Sequence, residues 1–162
     1  MTHELQLCLA QESDFEAFLA LKSEPVNILW SGFSTPPVKE KLQGHFDSAL
    51  NSQTRDIYLL KEEGNTLGYL YIDHFDKTHV AEFAYGVSKY HAGRGLAKRM
   101  IGMGLPLYED KYTTQIAWIA GTNIASMKCA ESLGFLRSTE FEYRQLEQFS
   151  EQVKFYKYCR QT

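Results

Sequence analysis

Long apolar runs and an excess of positive charge are both missing from this 162-residue sequence. No stretch approaches the roughly 20 apolar residues of a membrane-spanning helix, and the amino-terminal stretch MTHELQLCLAQESDF lacks the basic and apolar regions of a signal peptide. The formal net charge of −3 provides no general attraction for nucleic acid or anionic lipid. We therefore expect a cytoplasmic protein with no nucleic-acid and no membrane partner, in which any phosphate binding is local.

Cysteines are few and do not form a pattern. Cys8, Cys129 and Cys159 are odd in number and far apart, so neither a disulfide framework nor a zinc knuckle is expected. The histidines also lack the spacing of metal ligands, and no metal is predicted. The hydrophobic fraction of 44% and the charged fraction of 23% are ordinary for a folded protein. The length fits one domain that spans residues 1–162.

Hydrophobic periodicity predicts a mixed α/β domain. Apolar alternation predicts strands at 4–10, in a hairpin over 56–75, and at 79–88, 114–121, 136–146 and 151–160. Helical spacing predicts helices at 13–23, 37–50, 94–105 and 123–135. The third helix is expected to end early, because Gly102, Gly104 and Pro106 are poor helix formers. The resulting order, β-α-α-β-β-β-α-β-α-β-β, places a strand–helix–strand crossover in the middle of the chain.

The segment KYHAGRGLAKRM, residues 89–100, concentrates glycine and positive charge directly after a predicted strand. No Asp or Glu occurs between Phe83 and Tyr108, although the chain has 20 acidic residues. Glycines that lead into a helix leave main-chain N–H groups free for a phosphate. A glycine turn followed by a solvated basic helix face is the alternative.

Two common nucleotide motifs do not fit this segment. A G-x-G-x-x-G fingerprint requires a small residue at position 98, which is Lys98. The G-x-x-x-x-G-K-[ST] phosphate loop is absent as well. If the turn binds a phosphate, it uses another motif.

The stretch AGRGLA, residues 92–97, resembles the [R/Q]-x-x-G-x-[G/A] motif of the GNAT N-acetyltransferases, which holds the pyrophosphate of acetyl-CoA. It departs from that motif at Ala92, where Arg or Gln is usual. The stretch IAWIAGTNIASMKCAESLGF, residues 116–135, resembles the second family motif. Its pattern is closest to the branch of ribosomal-protein N-terminal, aminosugar and polyamine acetyltransferases. The resemblance implies a GNAT fold, with a mostly antiparallel mixed sheet of six or seven strands flanked by about four helices.

The resemblance also implies acetyl-CoA as the cofactor, with its pantetheine arm in a gap between the strands at 79–88 and 114–121. The residues it implies for cofactor binding are Tyr85, Gly86, Val87, His91, Ala92, Gly93, Arg94, Gly95, Leu96, Ala97, Lys98, Asn123 and Ser126. The contact that Arg or Gln makes at the first position of the motif must come from another side chain, His91 or Arg94, or be missing. For Asn123 a helix N-cap is the alternative role.

Acetyl transfer to an amine requires a base for the amine and a proton for the leaving thiolate. Glu82 is the expected base, since it precedes the turn on the strand and family members with a glutamate there use it so. An exposed strand carboxylate is the alternative. Many family members carry a tyrosine acid seven residues after the Asn, and here that residue is Ala130. Ser126 occupies the position used in the N-x-x-S branch of the family, so the resemblance implies Ser126 as the acid, with local helix capping as its alternative.

For the acceptor, we expect Glu82, Trp30, Phe33 and Tyr143 to contribute to a pocket. Closing the core is the alternative role of the three aromatic residues. The predicted function is direct acetyl transfer from acetyl-CoA to a primary amine. The acceptor would be a small molecule, such as an aminosugar or polyamine, or a peptide N-terminus. The alternative is a catalytically weak or inactive CoA-binding module. A homodimer is one expectation, because dimers are common in the family.

Overall fold

A computed structural model describes residues 4–91 and 93–162, and in this part of the chain seven strands form one sheet. The strands are β1 Leu5–Leu9, β2 Arg55–Glu62, β3 Asn65–Phe75, β4 Val80–Val87, β5 Thr114–Ala120, β6 Leu136–Arg144 and β7 Val153–Gln161. Their order across the sheet is β1-β2-β3-β4-β5-β7-β6. Every neighbouring pair is antiparallel except β4 and β5, which are parallel. The predicted fold class is confirmed.

Five α-helices occur in the described residues, one more than the four predicted. They are α1 Phe15–Lys22, α2 Pro25–Trp30, α3 Lys39–Leu50, α4 Leu96–Tyr108 and α5 Ile124–Ser132. The additional helix is α2, which lies in the segment that the sequence analysis left without structure. It begins with Pro25, a residue that suits the first helical position because no intrahelical hydrogen bond is needed there.

The prediction that the helix of residues 94–105 ends early is wrong, because α4 continues through Pro106 to Tyr108. Packing explains the extra turn. A Cβ atom added to Gly104 would lie 2.8 Å from Cδ2 of Leu70, so this glycine lets α4 approach β3 closely. Tertiary contact of this kind outweighs the low helix propensity of single residues.

Helices cover both faces of the sheet. On one face, α4 and α5 bury a cluster that includes Leu70, Phe83 and Met100. On the opposite face, α1 and α3 bury a second cluster around Phe18 and Phe46. In 4–91 and 93–162, no helix is long and apolar enough to cross a membrane.

Candidate functional site

The two parallel strands at the centre of the sheet separate soon after they begin. β4 and β5 pair over three residues each, and the last pair is Glu82 with Ile116. Main-chain groups of successive residues point alternately to the two sides of a strand. The amide of Ser88, just after β4, points toward β3, where it donates to the carbonyl of Leu67 over 2.8 Å. The main-chain groups of Tyr85 and Val87 therefore point away from β3, into the gap between β4 and β5.

A cavity of about 690 Å³ extends from this gap toward α2, a volume in the range of small-molecule sites. Eight of the predicted site residues contribute to its lining: Trp30, Phe33, Tyr85, Gly86, Val87, Ala97, Asn123 and Ser126. Glu82 is not part of the lining, but its neighbours Phe83 and Ala84 are. The structure thus brings together residues from four separate segments of the sequence.

The glycine loop before α4 is open on its outer surface. Gly93 and Gly95 have φ angles of 82° and 64°, in the left-handed region that disfavours other residues. A Cβ atom added to either glycine would meet no atom within 4 Å. Gly95 is the N-cap of α4 and offers no capping side chain, so the first-turn amides of α4 are available to a ligand. These amides belong to the predicted residues Leu96, Ala97 and Lys98.

Of the two side chains expected to compensate for Ala92, Arg94 already has a partner. Its guanidinium forms two hydrogen bonds to the Glu62 carboxylate, of 3.1 and 2.5 Å. His91 is half-buried in a short 3₁₀ turn, and its amide donates to the carbonyl of Ser88 over 3.2 Å. Ala92 itself lies outside the described residues.

Glu82 lies where β4 and β5 separate, opposite Asp73 on β3. Its side chain is half-buried, and it forms no ion pair with any described residue. Burial raises the pKa of Glu82, and the negative charge of Asp73 adds to this effect. The positive charges of Arg144 and Arg55 offset part of the increase. The result is a carboxyl group that titrates closer to neutral pH than an exposed glutamate.

Two hydroxyl groups meet on the wall of the gap. The phenol oxygen of Tyr85 and Oγ of Ser126 are 2.7 Å apart. Burial raises the pKa of Tyr85, so its phenol stays protonated. Asn123 caps α5, because its Oδ1 accepts the amide of Ser126 over 3.3 Å. The N-cap role considered for Asn123 is therefore present, and its side chain also lines the cavity.

Gly86 allows a tyrosine to approach the strand. A Cβ atom added at this position would lie 2.5 Å from Cζ of Tyr69. The phenol of Tyr69 reaches Ser31 on the opposite wall of the cavity, and burial raises the pKa of Tyr69 to about 12. A glycine inside a strand often marks a close approach, and the group that approaches here is a side chain of β3.

Tyr143 lies outside the cavity and is 56% exposed. Its ring contacts Phe141 at a centroid distance of 5.8 Å. The next residue along β6, Arg144, points to the other face and lines the cavity, 4.3 Å from the ring centroid of Phe155. Strand alternation was the signal that could have selected Arg144 over its neighbour.

Sequence analysis also missed the polar cavity residues contributed by the other elements. They are Lys22 at the end of α1, His45 on α3, and Tyr69 and Tyr71 on β3. A lysine in the last turn of a helix is usually a solvated residue that complements the helix dipole. Lys22 is unremarkable in sequence for that reason.

Several solved structures have a fold similar to that of this chain. An N-acetyltransferase from Staphylococcus aureus Mu50 is 19% identical, with coverage of 98% of each chain and a TM-score of 0.83. A ribosomal-protein-alanine N-acetyltransferase from Brucella melitensis is 20% identical, with coverage of 97% of this chain and 99% of that chain and a TM-score of 0.82. A spermidine N-acetyltransferase from Vibrio cholerae, solved with CoA and spermine, is 13% identical, with coverage of 96% and 94% and a TM-score of 0.85.

Residues 4–136 match the family model of the acetyltransferase (GNAT) domain. The chain therefore belongs to the GNAT acetyltransferases, and the family predicted from the two sequence motifs is confirmed. No curated protein sequence matches it.

Proposed function

We propose that this chain, acting as one domain over 1–162, transfers the acetyl group of acetyl-CoA directly to a primary amine of a small molecule or a peptide N-terminus. One observation carries the proposal. The gap between β4 and β5 joins the open glycine loop at the start of α4 to the cavity, whose lining includes Ala97 of α4. An elongated ligand with a phosphate at one end and a reactive group at the other fits such an arrangement.

The residues that would hold acetyl-CoA fit its chemistry. The first-turn amides of α4 and the loop around Gly93 and Gly95 would bind the pyrophosphate, because a helix N-terminus favours anions. The main-chain groups of Tyr85 and Val87 would bind the amides of the pantetheine arm. Asn123 would contact the same arm. Acetyl-CoA supplies an acetyl group activated as a thioester.

A main-chain N–H of β4 in the gap would polarise the carbonyl oxygen placed against it. A donor of this kind stabilises a developing oxyanion by about 2.7–4 kcal/mol. Glu82 would remove a proton from the amine through a water molecule, since its carboxyl is beside the cavity and not on its wall. The raised pKa of Glu82 brings it nearer to the pH at which a base is effective.

Ser126 would donate the proton from its Oγ to the leaving sulfur. The phenol of Tyr85, 2.7 Å away, would hydrogen-bond to that oxygen and hold it in place, and a proton from solvent water would restore the Ser126 hydroxyl. Residue 130, where many family members have a tyrosine acid, is an alanine in this chain. The pair of Ser126 and Tyr85 would take the place of that acid.

A thiol-release assay with acetyl-CoA and a panel of primary amines tests the proposal, together with calorimetry of acetyl-CoA binding. We expect binding in the micromolar range and turnover with at least one amine. Binding without turnover on any amine would support the alternative, a CoA-binding module. Absence of binding at millimolar acetyl-CoA would refute both functions.

A further inference from the structure

Lys22 is a charged residue of the cavity that the proposed chemistry does not use. Its side chain leaves the end of α1 and crosses β3, where Nζ donates to Oγ of Ser31 over 3.1 Å. The same nitrogen is 5.1 and 5.6 Å from the ring centroids of Tyr69 and Tyr71. No carboxylate of the described residues lies within ion-pair distance of it.

The other basic groups near Lys22 are compensated. Arg55 binds the carboxylate of Asp73 through two hydrogen bonds of 2.6 and 2.8 Å. Arg144 pairs with Glu142 at 2.6 Å. For His45, burial and the charges of neighbouring basic residues lower the pKa, so the imidazole is neutral at neutral pH.

Lys22 remains mostly cationic at pH 7. Burial, followed by the charge of Arg55, lowers the pKa of Lys22 to about 8. A buried ammonium group without a carboxylate is costly, and an anionic ligand would compensate it. In the described part of the chain, Lys22 is the one unpaired cation of this cavity.

Among the described residues, the cavity lining contains no Asp and no Glu. The lining is mostly apolar and includes the aromatic residues Trp30, Tyr69, Tyr71, Trp118 and Phe155. A polyamine would bring a second ammonium group into this cavity with no carboxylate to meet it. Repulsion from Lys22 would add to the cost of removing that group from water.

We propose that the acceptor is a primary amine that also carries an anionic group, a carboxylate or a phosphate, bound by Nζ of Lys22 and Oγ of Ser31. This inference rests on the proposed acetyl transfer and specifies its substrate class. Lys22 shares a face of the sheet with Tyr69 and Tyr71, whereas α4 packs on the opposite face. The anion at Lys22 therefore belongs to the acceptor and not to the phosphates of acetyl-CoA.

Matched acceptor pairs test the substrate class in the thiol-release assay. Alanine is compared with alaninamide, glucosamine 6-phosphate with glucosamine, and spermidine serves as the polycation. We expect kcat/KM to be at least about 10-fold higher for the anionic member of one pair, and the pair that responds identifies carboxylate or phosphate as the group bound.

Equal efficiency within both pairs, or preference for spermidine, would overturn the inference while acetyl transfer stands. Turnover with none of the five amines, nor with any other primary amine of the panel, would refute the proposed function itself.

The variant Lys22→Met assigns the preference to this side chain. We expect KM for the preferred anionic amine to rise about 10- to 100-fold, with KM for acetyl-CoA and for the neutral partner unchanged. Lys39→Met is the control, since Lys39 is exposed and pairs with Glu16 on the surface. An unchanged KM in Lys22→Met would contradict the inference.

A binding measurement on the unaltered protein covers the case in which Lys22→Met does not fold. Trp30 and Trp118 are the two tryptophans of the chain, and both line the cavity. We expect the anionic member of the responding pair to change tryptophan fluorescence at concentrations at least about 10-fold below its neutral partner. Equal dissociation constants within both pairs would overturn the inference.

Discussion

At the scale of single residues, Glu82 combines a partly buried carboxyl with a position beside the cavity. A base must lose its own proton before it can act, so the raised pKa of Glu82 should move the acidic limb of the rate profile above the pH of an ordinary glutamate. We expect Glu82→Gln to lower kcat about 100-fold at pH 7. Activity should recover partly at higher pH, where the amine loses its proton unaided.

The measurement is the pH–rate profile of both proteins. Glu140→Gln is the matched control, because Glu140 is exposed on β6 and pairs with Lys157 at 3.0 Å. A pH–rate profile of Glu82→Gln that is the same as that of the unaltered protein would remove Glu82 as the base.

The pair of hydroxyls on β4 and α5 supports a second prediction at this scale. We expect Ser126→Ala to lower kcat about 100-fold and Tyr85→Phe to lower it less, since Tyr85 acts through Ser126. Ser132→Ala, in the same helix, removes a hydroxyl that only binds the carbonyl of Cys129 and should leave kcat unchanged. Steady-state kinetics with saturating acetyl-CoA provide the comparison. If Ser126→Ala lowers the melting temperature and leaves kcat intact, its role is capping alone.

At the scale of elements, we expect the glycines before α4 to be required for the loop conformation and for the binding of acetyl-CoA. Gly95 has a φ of 64°, and an L-residue there costs about 1–2 kcal/mol. We therefore expect Gly95→Ala to destabilise the fold by about 1 kcal/mol and to raise KM for acetyl-CoA about 10-fold.

The matched control for Gly95→Ala is Gly44→Ala in α3. Gly44 lies inside that helix with nothing within 4 Å of an added Cβ, so alanine should stabilise it by about 0.5–1 kcal/mol. Urea unfolding and acetyl-CoA titration of both variants test the contrast. Equal effects of the two changes would mean that the loop conformation is not required.

The helices and strands also show which parts of this fold could be predicted from the sequence. Strands such as β3 and β5 were predicted within a few residues, because apolar alternation and short apolar runs are local signals. The end of α4 was not predictable, since it depends on the fit of Gly104 against Leu70 of β3. Helix α2 was missed because six residues are too few to establish a period.

At the scale of the whole molecule, the candidate site also contains some residues that could be predicted from the sequence and others that could not. The glycine loop, Glu82 and Asn123 were predicted because each stands in a recognisable motif or next to one. Lys22, Tyr71 and Arg144 were missed, since their neighbours in space are far away in sequence. The net charge of the chain is −3, yet the described lining residues of the cavity include no Asp and no Glu. The overall charge therefore does not predict the charge of the cavity.

Stability as a function of pH provides the last prediction, because Lys22 places an ammonium group in the interior. The charged and titratable groups that face it are Arg55 on β2, His45 on α3, and Tyr69 and Tyr71 on β3. None of them neutralises it. Burial, followed by Arg55, lowers the pKa of Lys22 from 10.5 to about 8.

Below pH 8, Lys22 is protonated in both the folded and the unfolded chain, and the folded state carries the full cost of burying the charge. Between pH 8 and 10.5 only the unfolded chain keeps the proton, so this cost shrinks, and above pH 10.5 it is lost.

We expect Lys22→Met to raise the free energy of unfolding at pH 7 by about 1–3 kcal/mol. This gain should decline steadily as pH rises from 8 to 10.5. Urea unfolding at pH 7, 8, 9 and 10 measures it, with Lys39→Met as the control that shows no such decline. A gain that is absent at pH 7, or constant across these values, would show that the Lys22 charge does not destabilise the folded protein.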